Sequence, residues 1–408
     1  MTCRLAPWSS VVSASGLPGA SEHLIVAGGG FAALEVVLAL RAIAGGAARV
    51  SLVSPDPVLA YRPAATLEAF SDTAPRAFDL IAIAADLGVR YHRTRVESVG
   101  SMRKQVRLAS GGQLAYDTLV LAAGARATVG IPGALTFRDQ RDLPRLRGLL
   151  RELDEGKVGS LVFAVPSGAS WPLPLYELAL LSAAHASERG TDAEITLVSP
   201  EPQPLAVFGA EASGLVAAEL ANRGVRFLGA SAPGSVCGGG ALTVQSGAAI
   251  KADRVVAVPQ LRGARITGIP ADRWGFVPTD AIGKVEGMAD VYAAGDITTF
   301  PIKHGGLASQ QSDRIAHSIA AGLGLTPHEL RAKRVLEVRL IGGQRPLRLR
   351  IELDEFGQPT AATLAQARSH RQPSWTKVFG RYLTPYLETR SPLAASLPPA
   401  EAAPPAQG

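Results

Sequence analysis

Two segments far apart in the chain carry residues suited to gripping a dinucleotide. In LIVAGGGFAALE (24–35) an apolar run meets three glycines and then a helix-like stretch. Gly28 permits a tight strand-to-helix turn, Gly30 lets the backbone approach a pyrophosphate, and Ala33 allows close helix–strand packing. The amides that open the helix, around Phe31 and Ala32, are placed to hold the diphosphate. In VYAAGDITTFPIKHGG (291–306) a second apolar strand ends in Gly295-Asp296. A carboxylate at a buried strand end needs donors, and the hydroxyls of a sugar-like chain provide them. Asp296 is thus the strongest single candidate for a polyol contact. A lone glycine fingerprint is weak evidence; this one follows a strand, opens a helix and is matched by a distal Gly-Asp.

Further candidates lie between and beyond these segments. The acid expected at the end of the second strand is replaced by Ser54, and Asp56 follows two residues later, so either one could meet ribose hydroxyls. Ala123 and Gly124, in LVLAAGAR, end a buried strand where the nucleotide passes the backbone again. KHGGLASQQSDRIAHSIA (303–320) begins a helix with Ala308, Ile315 and Ile319 on one face. The N-terminus of that helix, at Gly305, Gly306 and Leu307, directs positive dipole density at a bound ring system. Lys303 and His304, just ahead of it, add charge there, line an acceptor site, or form an ordinary surface loop.

These residues need strand–turn–helix units to hold them, and the sequence contains two. LIVAGGG (24–30), VSLVSPDP (50–57), RVESV (95–99), QVRLASGGQLAYDTLVLAAG (105–124) and GIPG (130–133) form one series. LVFAVPSG (161–168), ITLVSPEP (195–202), VRFLG (225–229), ALTVQSGAAIKADRVVAV (241–258) and GIPA (268–271) form the other. Each reads as a buried strand, a turn, a helix, a second strand ending in LVSP, and a small antiparallel meander turned by Ser-Gly. The pattern is an internal duplication of a nucleotide-binding unit. VLEVRLIGGQRPLRLRI (335–351) alternates about Gly342-Gly343 and predicts a hairpin, and PSWTKVFGRYLTPYLETR (373–390) is aromatic and basic with short helical character. The expected divisions are a flexible extension over 1–21, a discontinuous first domain over 22–135 and 265–324, and a second over 136–264. A C-terminal domain over 325–390 and a disordered Pro/Ala-rich tail over 391–408 complete the chain.

On GGGFAALE, LVLAAGA, YAAGD and KHGGLASQQ, the chain resembles flavoproteins with two dinucleotide-binding domains. These include type II NADH dehydrogenases, sulfide:quinone oxidoreductases and the flavin subunits of flavocytochrome c sulfide dehydrogenase. The resemblance implies an α/β fold: two duplicated Rossmann-like FAD/NAD(P)-binding domains, arranged as in glutathione reductase, plus a small C-terminal α+β domain over the flavin. It implies non-covalent FAD held by Gly28, Gly30, Phe31, Ala32, Ser54, Asp56, Val96, Ala123, Gly124, Gly295, Asp296, Gly305, Gly306 and Leu307. Arg62 and Pro63 of AYRPAA would return the chain past the flavin ring. The acceptor it implies is a quinone or a redox protein.

Two features of those relatives are altered. Where NADH-using members carry a second glycine cradle, this chain has VPSGASWPLPLYE (165–177), with Gly168 as its single glycine. Trp171 obstructs a pyrophosphate, and the prolines remove amide donors. Ser199 and Glu201, at the end of the matching strand, leave an adenosine-ribose contact open, so NAD(P)H stays a secondary reading beside FAD. Sulfide-oxidising relatives place a redox cysteine in this same turn; here Trp171 stands in its place, and the chain has only Cys3 and Cys237. A disulfide or persulfide relay needs two neighbouring thiols, so that route is disfavoured. Trp171 is then a shield or stacking surface for the flavin, or a core anchor. Lys303, His304 and Trp171 are the side chains nearest to a catalytic assignment.

Composition sets the outer limits. A chain of 408 residues accommodates two or three domains. No apolar run reaches the ~18–20 residues that span a bilayer. The first twenty residues lack a sustained apolar stretch, and two isolated cysteines make no disulfide framework. A cytoplasmic location is expected, with peripheral contact at the inner membrane face as a side reading. The net charge of +6 comes from scattered basic residues without a dense run, so nucleic acid is not an expected partner. No metal-ligand spacing is present. Trp375, Phe379, Tyr382, Tyr386 and Leu387 interleave with Lys377, Arg381 and Arg390; such a segment lies on a membrane, covers the core or meets a second copy in a homo-oligomer.

The functional expectation is an FAD-dependent oxidoreductase that passes electrons from a small-molecule donor through flavin to a quinone or other acceptor, without a cysteine pair. An NADH:acceptor dehydrogenase with a modified NADH site is the first alternative. A non-catalytic flavin-binding or interaction protein is the second. The cofactor carries the chemistry, so the lack of an acid–base dyad is consistent with the first reading.

Overall fold

The apolar runs LIVA and LVFA become the central strands of two parallel sheets, buried as strands covered on both faces must be. The computed structural model describes residues 22–238, 240–325, 333–343, 346–360, 368–369 and 377–393. The first sheet runs Val291–Ala293, Thr118–Leu121, His23–Ala27, Arg49–Val53, Arg90–His92, with every neighbour parallel. The second runs Leu135–Thr136, Arg254–Ala257, Ser160–Ala164, Glu194–Val198, Val225–Leu228, again all parallel. Each is accompanied by a three-stranded antiparallel meander, over 96–115 in the first unit and 233–251 in the second. The repeated sequence series is therefore a repeated topology.

The units interlock at their edges. The first sheet takes its edge strand from Val291–Ala293, after the whole second unit, and the second takes its own from Leu135–Thr136, before its first strand. An antiparallel ribbon of Ala125–Thr128 with Gln260–Gly263 makes the crossing.

Three helices position the candidate residues: α1 (Phe31–Ala44), α2 (Leu173–Arg189) and α3 (Gly305–Gly322). Helices α1 and α3 share one core cluster, in which Ala32, Ala33 and Val36 meet Ala308, Ile315, Ala316 and Ile319. Alanines at the crossing let the backbones approach closely enough for Ser312 Oγ to donate to the Ala32 carbonyl at 2.9 Å. Burying each isoleucine there contributes about 2 kcal/mol.

Past α3, Arg334–Leu340 pairs with Leu347–Leu353, with Leu340 opposite Leu347, so the hairpin turns around Gly342-Gly343 as expected. Its inward residues Leu336, Val338, Leu349 and Ile351 join the second unit's core. The short helix Leu383–Glu388 instead sends Leu383 and Leu387 into the first unit's core, with Tyr382 and Tyr386 packed beside them. Of the three roles open to the aromatic 373–390 segment, this part covers the core. Trp375, Cys3, the 1–21 extension and the tail beyond 393 lie outside the described residues. Among the described residues, no helix is long and apolar enough to cross a membrane, and no cluster of metal-ligating side chains occurs.

Candidate flavin site

The first glycine turn divides its tasks. Gly28 has φ +143°, and a Cβ there would lie 2.1 Å from the Ala122 carbonyl oxygen, so only glycine fits. Gly29 rests on Ser54, whose Oγ would be 2.5 Å from an added Cβ. Gly30 is different: a Cβ there would meet nothing within 4 Å. The open side of the turn is thus the side a pyrophosphate would occupy. Gly30 also caps α1 with no side-chain partner and no acid in the first turn, which leaves helix-end amides free for an anion.

The second strand end is arranged less directly. Ser54 is buried beneath the turn and donates from Oγ to the Asp56 carbonyl at 3.2 Å. Tyr91 Oη donates to the carbonyls of Ser54 and Asp56, at 2.9 and 2.8 Å, which fixes the loop. The Asp56 side chain stands on the surface. Val96 is buried at the start of the meander beside Ile25, Ala27 and Val53. Ala123 is exposed, and Gly124 follows it with φ +71° and open space where a Cβ would point.

The distal motif meets the proximal one. Gly295 has φ +77°, and a Cβ on it would come 3.1 Å from Ala32 Cβ in the first turn of α1. Asp296 follows. Among the described residues its carboxylate accepts no hydrogen bond. Burial raises its pKa above the usual range, while Lys303 and Arg62 pull it back. Arg62 and Pro63 form a short 3-10 turn after Tyr61, with Arg62 half-exposed and its Nε 3.7 Å from Asp139.

Lys303 and His304 are not a surface loop. Lys303 is buried; its Nζ donates to the Thr298 carbonyl and lies 4.1 Å from the centre of the Phe276 ring. Burial lowers its ammonium to about 8, against the pull of Asp296 and Asp272. His304 caps α3 with its ring turned inward, and burial pushes the imidazole down to about 4. Its Nδ1 is buried with no partner. Gly305 and Gly306 lie under the C-terminal segment: a Cβ on Gly305 would be 2.9 Å from Val378, and one on Gly306 would be 3.9 Å from the Phe379 nitrogen. Leu307 is buried in the second unit's core.

Residues 22–322 match the family model described as pyridine nucleotide-disulphide oxidoreductase. The chain belongs to this family. The two parallel-sheet units are the fold expected of a member. It is 29% identical over 232 residues to the biphenyl dioxygenase system ferredoxin–NAD(+) reductase component of Paraburkholderia xenovorans (strain LB400), covering 53% of this chain and 52% of the relative. It is 29% identical over 299 residues to the anthranilate 1,2-dioxygenase system ferredoxin–NAD(+) reductase component of Burkholderia cepacia, covering 68% of each. The chain thus spans about half the length of the first of these relatives. In fold it is similar to the sulfide:quinone oxidoreductase of Aquifex aeolicus, with a TM-score of 0.75 and 18% identity over 85% of this chain and 87% of that one.

In this member of the family the second unit's turn is closed. The Ser170 carbonyl accepts from the Lys303 amide at 3.4 Å, and the Trp171 indole packs on His304 with ring centroids 5.1 Å apart. Pro172 caps α2 and a second proline sits in its first turn, so the helix end offers few amides. Ser199 and Glu201, which the sequence left open for a ribose, are engaged internally. Glu201 accepts from Tyr176 Oη at 3.0 Å, Ser199 Oγ at 3.3 Å and the Ala206 amide at 3.2 Å. Tyr176 is fully buried.

Three contacts escaped the sequence reading, all made by the C-terminal segment. Lys377 Nζ lies 2.6 Å from Glu177 Oε2 and 3.0 Å from Thr66 Oγ1, all buried. Tyr61 Oη accepts from the Lys377 and Val378 amides, while its ring stands 5.5 Å from Phe31 at the start of α1. Glu35 accepts from the Tyr382 and Leu383 amides at 2.9 and 2.8 Å. Burial pushes its carboxyl up to about 7, partly offset by those bonds. The one available signal was an acid, Glu35, within the apolar first ten residues of α1.

Proposed function

We propose that this flavoenzyme takes electrons from a donor other than NADH held in an ordinary second cradle, and passes them to a quinone or a redox protein. The observation that carries the reading is the docking of the 165–172 turn onto the first unit through the Ser170–Lys303 bond and the Trp171–His304 contact. A pyrophosphate needs that turn open, with amides presented. The first turn is open in this way. Gly28, Gly30, Phe31 and Ala32 would hold the FAD pyrophosphate, with Ala123 and Gly124 along the nucleotide. Asp296, with an unpartnered carboxylate, would accept from the ribityl chain, and the start of α3 at Gly305–Leu307, where the cap residue His304 makes no side-chain cap bond, would face the pyrimidine. Ser54, Asp56 and Val96 would border the adenosine half, and Arg62 with Pro63 the ring. Bound FAD supplies the redox chemistry, and the chain's own groups set access and electrostatics. Trp171 and His304 would shield the ring, and Lys303 would hold a positive charge behind it. The described residues contain one cysteine, Cys237, exposed in the second meander, so no thiol pair supports a sulfide relay.

A second reading is favoured by the named relatives, which are reductases acting between ferredoxin and NAD(+). Anaerobic titration of the purified flavoprotein separates the two. Flavin absorbance that persists with NADH and bleaches with dithionite supports the first. Bleaching with stoichiometric NADH selects the second. Flavin that no donor other than dithionite reduces, in a folded protein, would favour a non-catalytic role.

A further inference from the structure

Arg314, on α3, is a partly buried cation with nothing to pair with. Among the described residues its guanidinium makes neither a hydrogen bond nor an ion pair, and its Nη1 is shut off from solvent with no acceptor. Burial, and after it the charge of Arg334, lowers the guanidinium to about 10, against the pull of Asp313. A buried charged donor left without an acceptor is unfavourable, and native structures explain such groups by a bound water or ion.

The fold holds the second guanidinium beside the first. Gln310, one turn before Arg314, accepts from the Val335 amide at 2.8 Å and donates to the Val335 carbonyl at 2.7 Å. This double bond to the backbone pins the start of the hairpin strand to α3 and brings Arg334 alongside Arg314. Arg334 Nη2 donates to the Ala281 carbonyl at 3.4 Å, and its guanidinium lies 5.7 Å from the centre of the Phe300 ring. Arg334 Nε is buried with no acceptor, like Arg314 Nη1. The 280–284 loop packs on the same part of the helix, where a Cβ on Gly283 would lie 2.8 Å from Ile315. One turn beyond Arg314, Ser318 Oγ stands 3.4 Å from Tyr292 Oη.

The neighbouring acids leave the two arginines unneutralised. Asp280 uses Oδ1 to accept from the Ile282, Gly283 and Lys284 amides, and Glu352 pairs with Lys333 at 2.7 Å. Two like charges held together with buried, unused N–H groups call for a ligand with two negative charges and several oxygens. The planar forks of arginine match a phosphate in this way, and hydroxyl groups serve its remaining oxygens.

We propose that Arg314 and Arg334, with the hydroxyls of Ser318 and Tyr292, bind free phosphate or the phosphoryl group of a small molecule. The site is separate from the proposed flavin site, since Arg314 lies about 14 Å along α3 from Gly305. Both cations are partly buried between three packed elements, which suits a small ligand rather than a bilayer or a duplex. The exposed Ala281 and Ile282 border the side open to solvent. A bound phosphoryl group would bridge α3 and the hairpin, and so would stabilise their junction by mass action.

The test uses the full chain saturated with FAD, so that the glycine turn of the first unit does not take up the probe. Inorganic phosphate and glycerol 3-phosphate are titrated by calorimetry at constant ionic strength, with chloride as the reference anion. Thermal midpoints are measured with and without each probe. The parent should bind both probes at a single site and melt higher with them than in chloride. Arg314→Met and Arg334→Met should each bind about tenfold or more weakly, as loss of a charge-assisted bond requires. Without the probes Arg314→Met should melt no lower than the parent, because an unpaired cation has been removed. Arg145→Gln, which removes an exposed arginine elsewhere, should bind as the parent does and separates the site from net charge. Arg314→Lys keeps the charge without the fork and should bind at an intermediate strength, so the site stays testable if a methionine variant fails to fold. Equal phosphate affinity in the parent, Arg314→Lys and Arg334→Met overturns the proposal. So does a parent that distinguishes neither probe from chloride. Retention on phosphatidic acid vesicles, lost in Arg314→Met, without binding of either soluble probe would also overturn it and assign the pair to a membrane.

Discussion

The indole of Trp171 packs against the imidazole of His304, centroid to centroid 5.1 Å, at an interplanar angle of 53°. One residue belongs to the second unit's degenerate turn and the other caps α3 in the first unit. A feature that in sequence looks like loss of a cradle is, in the fold, a contact between the two units beside the proposed flavin. Trp171→Ala removes the bulk while leaving the first glycine turn untouched. Flavin content should stay the same, and flavin reduction by NADH should quicken about tenfold, equivalent to ~1.4 kcal/mol of relieved obstruction. Stopped-flow absorbance over a range of NADH concentrations reads this; an unchanged rate throughout would show that Trp171 is not the barrier.

The two glycines of the first turn should fail in different ways. A Cβ on Gly28 collides with the Ala122 carbonyl at 2.1 Å on a backbone with φ +143°, so Gly28→Ala should cost about 2–4 kcal/mol of stability. A side chain on Gly30 projects into open space. Gly30→Val should therefore fold with a nearly unchanged Tm and bind FAD at least tenfold more weakly. Equal flavin affinity in Gly30→Val and the parent would remove the pyrophosphate from this turn.

Asp296 has no hydrogen-bond donor among the described residues, and burial works against its ionisation. Its removal should cost the cofactor and not the apoprotein. Asp296→Ala is expected to raise the FAD dissociation constant about 10- to 100-fold, the range for a hydrogen bond to a charged group. The apo form should melt no lower than the parent. Fluorescence titration and calorimetry of the same apo samples check both halves.

Much of this architecture is legible from short patterns. LIVA and LVFA are apolar enough for only one kind of strand, and the repeated meanders betray the duplication before any coordinates. Gly28 and Gly295 announce themselves because their conformations exclude other residues. Chain-distant pairings are not legible in this way. Lys377 reads as one cation in a basic, aromatic segment, yet its partner Glu177 lies in α2. Arg126 and Arg262 meet only because the chain crosses between units as a ribbon. Glu201 sits where a ribose ligand belongs, and only the placement of Tyr176 shows that the carboxylate turns inward.

The Lys377–Glu177 pair fastens the C-terminal segment to the second unit, with Thr66 of the first unit bonded to both. Removing one charge strands the other in a buried site. Lys377→Met should therefore destabilise by about 3–5 kcal/mol. The double change Lys377→Met with Glu177→Leu should recover most of that loss, because desolvation of the pair offsets much of its attraction. Urea denaturation of the four proteins in the cycle gives the coupling; additive losses would show that the pair acts independently.

Glu35 and His304 should shape the pH dependence of stability with opposite signs. The Glu35 carboxyl is raised from 4.5 to about 7, so the folded state holds a proton that the unfolded state has released between those values. Its contribution is full below pH 4.5 and falls by about 3 kcal/mol as pH rises through 7. The His304 imidazole is lowered from 6.5 to about 4, so there the unfolded state binds the extra proton. Its contribution is full above pH 6.5 and falls by a similar amount, about 3 kcal/mol, as pH drops through 4. In the parent the two trends largely cancel across pH 4.5–6.5. Glu35→Gln keeps an oxygen for one of the two amides and removes the first trend, so its stability relative to the parent should rise with pH over this window. His304→Gln removes the second, and its relative stability should fall with pH. Urea midpoints at four pH values give both difference curves; parallel curves would mean that neither group is titrating in the folded protein as its burial requires.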